Sequence, residues 1–402
     1  NGQIVRDPFN GNIVPLNRLD PVALKIQALL PLPDAPGNIN NWNQDLTGYK
    51  VSATPSIKLD HNFSAGSKIS FFLQKAWNHT INNGLDGLPS PITAVRDQRT
   101  YSYTSRLNYD HSLTPRILLH TGAGFLRFLN PDASPADVLE FDALTNLGFR
   151  GSSTGGGFPR ISGMSTAVGG GMFNIGPTNA NYYWVGKLTV PLSVTYVRNN
   201  HSYKAGVEYR LESYTDRNTR GASGVLAFGA AQTALPYLQT TNIGGGSIGF
   251  PYASFLLGQV STATVNAPQD PQWRKKAWAM FLQDTWKVTR KLTLDYGLRW
   301  DLMTQGHELH NRNSMFGPSI VNPSAGGLLG GIVYEGNGPG RCNCEFTDKY
   351  PYAIGPRLGV AYQLDNKTVI RGGTGITYAN LPTYSYFTNA AILGVGFDQR
   401  VW

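Results

Sequence analysis

The chain has 402 residues, of which only 15% are charged and 46 are glycine; ordinary globular proteins carry about 25% charged residues and about 7% glycine. Its net charge of +9 is scattered, with the densest basic run at residues 274–276, which argues against the clustered footprint of a nucleic-acid binder. No apolar run reaches the ~18 residues of a transmembrane helix, whereas 20 Tyr, 18 Phe and 8 Trp beside so much glycine suit an all-β chain.

Residues 1–50 read as a segment outside the strands. Asp20 followed by Pro21 is an N-cap and N1 pair that predicts a short helix over 21–30. Its apolar residues Val22, Leu24, Ile26, Leu29 and Leu30 form no single stripe, so a packing loop helix and a lid over a barrel mouth both fit it.

Residues 51–379 alternate between tight turns and long connections. "SIKLDHNF" (56–63) turns into "KISFFLQ" (68–74), and "YSYTSRLNYDH" (101–111) into "RILLHTGAGFLRF" (116–128). "LSVTYV" (192–197) turns into "SYKAGVEYRLE" (202–212), and "AWAMFLQDTWKV" (277–288) into "KLTLDYGLRWD" (291–301). "GPRLGVAYQL" (355–364) turns into "KTVIRGGTGITY" (367–378). These are five hairpins and ten predicted strands. The connections, at about 77–100, 129–181, 213–276 and 302–354, are long and rich in Gly, Pro, Asn and Ser. Short turns at one end and long loops at the other characterise transmembrane β-barrels. Residues 380–402 read as the start of a further loop or strand.

The strands have two unlike faces. Asp60, Arg106, Asp110, Lys204, Glu208, Arg210, Asp295, Arg299, Asp301 and Arg357 fall on one parity. Tyr109, Tyr209, Leu292, Leu294, Tyr296, Leu298, Trp300 and Tyr362 fall on the other. In a soluble sandwich the greasy face packs on a core; in a membrane barrel it meets lipid and the charged face lines the lumen. A charge at the lipid midplane costs about 2–4 kcal/mol for Arg or Lys, so the charged set is expected to face a lumen and the apolar set lipid. Pro191, inside "WVGKLTVPLSV", lacks a ladder donor and predicts a bulge or a broken strand.

Other motifs carry less. "HELH" spaces His307 and His310 three apart, where a zinc-protease helix needs four, and reads as a solvated outer-loop segment. Cys342 and Cys344 are too close in sequence for an easy disulfide and lack the second pair of a zinc site. "GNGPGR" (336–341) lacks the Lys-Ser/Thr of a phosphate loop. The seven His show no acidic partner at a suggestive spacing, so no catalytic triad is expected. No cofactor is expected.

Taken together, several stretches resemble a family. "FLQDTWKVTRKLTLDYGLRWD" and "GPRLGVAYQLDNKTVIRGGTGITY" resemble hairpins of TonB-dependent outer-membrane receptors. "GNIVPLNRLDPVALKIQALLPLP" (11–33) resembles the segment after the plug in the Oar-like branch, and "YASFLLG" (252–258) resembles a motif in one of its long outer loops. The resemblance implies a slice of a barrel of about 22 strands in the bacterial outer membrane, with lipid and lipopolysaccharide outside it. It implies energy-coupled uptake of an unknown large or scarce solute, with the TonB complex engaged through a plug. It also implies that the chain is a fragment, since plug, TonB box and carboxypeptidase-regulatory-like domain have no counterpart in these residues, and that it is no enzyme. A passive porin or structural outer-membrane protein, and a soluble β-rich binding or adhesion module, are the alternatives.

Overall fold

The computed structural model describes residues 7–378 except 38–40, 44–45, 84–85, 153–155, 166–171, 179, 220, 235–241, 244–245, 248, 305, 340 and 347–349. The expected loop or strand over 380–402 lies outside the described residues. Eleven strands build the wall: β1 (Tyr49–Ala53), β2 (Ser56–Ser64), β3 (Ser67–Asn83), β4 (Arg96–Thr114), β5 (Ile117–Ala133), β6 (Ala180–Arg198), β7 (His201–Asn218), β8 (Gln272–Lys287), β9 (Leu292–Met303), β10 (Tyr350–Gln363) and β11 (Val369–Gly375). With the short strand His307–Glu308 they form one twelve-stranded sheet, paired antiparallel throughout. Both β1 and β2 pair with β3 along the same edge, and β11 forms the other edge, so the described sheet is open.

The tight turns follow from local chemistry. Thr114 Oγ1 accepts from the N–H groups of Arg116 and Ile117 at 3.2 and 3.1 Å. Thr289 Oγ1 does the same for Lys291 and Leu292, and Asp365 for Lys367 and Thr368. Asn199 enters the left-handed region at φ 51°. Each is a residue type whose short polar side chain can replace the ladder at a reversal.

Strands β3 to β7 are 17 to 19 residues long, while a tilted membrane strand needs about 9–11. They therefore run well past the alternating segments that mark them in the sequence. One consequence is that the first long connection shrinks to residues 84–95. Pro191 neither bulges nor breaks β6. The β5–β6 register is the same on both sides of it, Thr121 pairing with Leu192 and Gly124 with Thr189, and the β6–β7 register runs straight through Pro191↔Glu208. Pro191 brings no N–H to the ladder, while its carbonyl accepts from Thr121 Oγ1 at 3.1 Å.

The remaining connections fold rather than trail. Helices α2 (Ala136–Leu139) and α3 (Ala143–Leu147) lie in one, and α4 (Pro251–Leu256) in the next. Segments 160–162, 225–227 and 262–264 from these same two connections pair into a three-stranded sheet. The main hydrophobic core sits in this cap, around Ile92, Val138, Phe158, Ile161, Met164, Ile175 and Phe255. The first helix joins it. α1 (Pro21–Gln27) ends a few residues before the expected Leu30, with Asp20 Oδ1 accepting from the N–H groups of Val22 and Ala23 at 2.9 Å each. Its buried side chains, Ala23 and Ile26, belong to the cap core, so it packs as part of that core.

Candidate functional site

Cross-strand register fixes which side chains share a face, because directly opposed residues point the same way. One row runs Ile69, Tyr109, Thr121, Leu192, Val207, Met280, Trp300, Ile354 across β3 to β10. Leu292, Leu294, Tyr296, Leu298, Tyr209 and Tyr362 fall on that same side, against Tyr362, Trp286, Asp284, Leu282, Trp278 and Leu292 respectively. The ten charged candidates fall on the opposite side. Asp110 faces His120 and Lys68; Arg106 faces Phe72 and Gly124; Asp60 faces Ser70. Lys204 faces Thr195 and Gln283, and Arg357 faces Gly297 and Gly375.

The apolar side is the more exposed one. Trp278, Leu282, Leu298 and Leu358 are 48%, 61%, 48% and 48% exposed, while Ala277, Ala279 and Ala353 on the charged side of the same strands are 7%, 3% and 2% exposed. A water-soluble sheet would show the reverse.

Four of the charged candidates meet. Arg299 Nη2 lies 2.9 Å from Asp301 Oδ1 and 3.9 Å from Glu208 Oε1, and Glu208 is ion-paired with Arg210. Glu208 and Asp301 stand on β7 and β9 with Ala279 of β8 between them. The small alanine lets side chains from non-adjacent strands touch. Asp295 accepts from Thr285 Oγ1 and Gln283 Nε2 at 3.0 and 3.3 Å. Asp60 bridges Lys58 and Lys68 at 3.2 and 3.1 Å. Asp110 pairs with His120 at 2.7 Å. Lys204 and Arg357 join none of these clusters, and neither does Arg106.

No His has an acidic partner at a suggestive sequence spacing, but three gain one across the ladder. His120–Asp110, His201–Asp284 (2.6 Å) and His79–Asp97 are ion-pair contacts between neighbouring strands. Ladder pairing brings them together, and sequence spacing cannot show it. Asp284 departs from the face pattern, as Lys75, Arg127, Arg274 and Lys276 do: it lies on the apolar side, 4% exposed, and accepts from the Tyr296 hydroxyl at 2.8 Å. Also missed were Lys187–Glu212 at 3.4 Å and the spacer Ala279; the parity of β6 to β8 was the available signal.

A second polar centre lies in the connection 304–349. Glu308, expected to be solvated, is fully buried. It accepts from Arg312 Nη2 at 2.7 Å, and from the backbone N–H groups of His310 and Arg312 at 2.9 and 3.0 Å. Burial opposes its ionisation, but the Arg312 guanidinium holds its carboxyl below the usual range. Glu335, also buried, accepts from Asn313 Nδ2 at 2.8 Å. Burial, with Glu308 and Glu345 nearby, pushes its carboxyl up to about 7. A cavity of about 360 Å³ opens beside it, lined by His307, Asn311, Glu335, Asn337, Cys344 and Glu345. Cys342 and Cys344 form a disulfide with Cα atoms 5.1 Å apart, within the bridging range. The intervening Asn343, at φ 53°, folds the chain back so that the close spacing is no obstacle.

Comparison with known proteins agrees with this architecture. No curated protein sequence matches the chain. Similar solved structures include the unliganded ferric citrate transporter FecA (11% identity, TM-score 0.39), the copper transporter OprC (11%, 0.43) and BauA, the ferric preacinetobactin receptor from Acinetobacter baumannii (10%, 0.40). The matches cover 82%, 81% and 84% of this chain but only 36%, 37% and 40% of those chains. A family model described as "Outer membrane beta barrel domain" matches residues 1–401. The chain, with its antiparallel wall and exposed apolar face, belongs to this outer-membrane β-barrel family.

Proposed function

We propose that this chain forms part of the wall and outer loops of an outer-membrane transporter that takes up a large or scarce solute, with energy coupled through TonB. In this reading residues 51–379 are wall and loops, residues 1–50 lead into them, and 380–402 continue them. The apolar face, with Tyr109, Tyr209, Leu292, Leu294, Tyr296, Leu298, Trp300 and Tyr362, meets lipid. The charged face, from Asp60 to Arg357, lines the lumen. The observation that carries the reading is the inverted exposure of the sheet: Leu282 is 61% exposed where Ala279, three residues before it on the same strand, is 3%. Ion pairs on the covered face are what a wet lumen wall tolerates.

The test is fluorescence of Trp300 in the assembled full-length protein with brominated lipids. Strong quenching is expected; absence of quenching, together with shielding from aqueous quenchers, would mean that the face packs on protein. For the lumen, Glu208→Gln and Arg299→Gln together should lower uptake several-fold at unchanged outer-membrane abundance. Unchanged uptake would remove this cluster from the solute path.

A further inference from the structure

We propose that the cavity beside Glu335 is a binding site for a small primary alkylamine, whose ammonium group is held by the Glu335 carboxylate. This goes beyond the transport reading, because the site needs only the folded connection 304–349. Glu335 is 3% exposed, yet it lines the cavity. Both hydrogen bonds to its carboxyl, from Asn313 Nδ2 at 2.8 Å and from the Glu308 N–H at 3.3 Å, end on Oε1. Among the described residues Oε2 has no partner. A carboxyl oxygen withdrawn from bulk water without a donor costs free energy that a ligand N–H would recover.

The cavity wall is fixed by the backbone. The Gly336 N–H donates to the Cys344 carbonyl at 2.9 Å, and the Cys342 N–H to the Tyr334 carbonyl at 3.0 Å. The turn closed by the Cys342–Cys344 disulfide is thereby laid against residues 334–336. Gly336 adopts φ +88°, and a Cβ there would lie 2.7 Å from Asn311 Cγ; glycine lets the Asn311 amide pack against this wall. Arg341 lies beside the site, but its Nη1 donates to the backbone carbonyls of Asn311 and Glu335. A wall held in place before the ligand arrives reduces the ordering cost of binding.

The lining selects the ligand. Its described residues bring the carboxyls of Glu335 and Glu345, the His307 ring and the amides of Asn311, Asn337 and Asn343, with no Lys or Arg among them. Such a lining favours a cation over an anion. A guanidinium binds best as a fork on two carboxylate oxygens, and Oε1 is already engaged. An ammonium is a compact point charge that needs only one. A transition metal needs several His, Cys or carboxylate ligands, and no three of these converge among the described residues. The volume of about 360 Å³ suits a small organic molecule. Burial, with Glu308 and Glu345 nearby, pushes the Glu335 carboxyl up to about 7, so an arriving ammonium displaces a proton. The charged and titratable groups around that carboxyl are Glu308, paired with Arg312 at 2.7 Å, Glu345, Arg341 and His307.

The experiment is isothermal titration calorimetry of putrescine into the full-length protein in mild detergent. Saturable binding is expected at pH about 8, and an affinity roughly a hundred-fold lower at pH about 5, two units below the Glu335 value. Glu335→Gln should lower the affinity at the higher pH roughly ten-fold and flatten the profile, whereas His307→Gln should leave the profile in place. Asn337→Phe, at an exposed position on the lining and outside the Glu335 hydrogen bonds, should weaken binding several-fold while the protease resistance of 304–349 stays normal, which separates loss of the site from loss of the fold. Butylguanidine should bind several-fold more weakly, and butanediol, the uncharged analogue, should not bind. Absence of saturable binding at the higher pH, unchanged affinity in Glu335→Gln, or equal binding of butanediol would overturn the proposal. Quenching of Trp300 by brominated lipid reads the wall separately, so a failure here and a failure of the transport reading are told apart.

Discussion

The backbone N–H of Asp20 donates to the carbonyl of Leu256 at 2.8 Å, joining two segments far apart in sequence. Next to it Gly258 adopts φ +63°, and a Cβ there would lie 2.9 Å from Asp20 Oδ2. The same carboxylate caps α1. The helix that precedes the wall is therefore anchored to the cap through one capping residue and one glycine.

Gly258→Ala should loosen the cap. A left-handed φ costs a non-glycine residue about 1 kcal/mol, and displacing the Asp20 cap costs about another 1 kcal/mol. Limited proteolysis within 134–179 should speed up roughly 5–30-fold, with the heat-modifiable mobility of the wall unchanged. Equal cleavage rates would show that the glycine is not needed.

Two adjacent wall residues should respond in opposite ways. Leu294→Arg puts a charge on the exposed apolar face and should cost about 2–4 kcal/mol near midplane, seen as reduced assembly. Asp295→Ala removes only the hydrogen bonds from Thr285 and Gln283 and should assemble almost normally. A reversal would mean that the register is slipped by one residue.

Arg312 is 3% exposed between Glu308 and Asp270. Removing one partner of a buried ion pair leaves the other charge uncompensated, at about 3–5 kcal/mol. Arg312→Ala should unfold the connection 304–349, measured by protease sensitivity, whereas Arg312→Met with Glu308→Gln should cost much less.

The Glu335 carboxyl is raised from 4.5 to about 7, so the folded connection holds this proton more tightly than the unfolded chain does. Stability from this group is present below the unfolded value and lost as pH rises through about 7, a change of up to roughly 3 kcal/mol. The connection should be more protease-resistant at pH about 5 than at pH about 8, and Glu335→Gln should flatten that difference. A pH profile unaltered by the substitution would remove Glu335 as its cause.

Sidedness should follow connection length. Thr289→Cys lies in a short turn and Ala325→Cys in the connection 304–349. An impermeant thiol reagent on whole cells should label position 325 and spare 289; the opposite pattern would invert the orientation.

The hairpins and the two faces were legible in the amino-acid sequence because strand parity and turn chemistry are local. Leu294 and Asp295 point apart whatever surrounds them, and Thr289 closes its turn with its own hydroxyl. Tertiary pairing decided the rest. Pro191 reads as a break until pairing with β5 and β7 carries one register straight through it. His201 has no acidic partner until β7 lies beside β8 and brings Asp284 to 2.6 Å. Glu308 looks solvated until Arg312 and the Glu335 network enclose it. The stretches 11–33 and 252–258 meet only because the long connections fold into a core of their own, with Ile26 of α1 and Phe255 of α4 both buried in it. Which residue stands opposite which is set by register and packing over long sequence separations, and no local period encodes it.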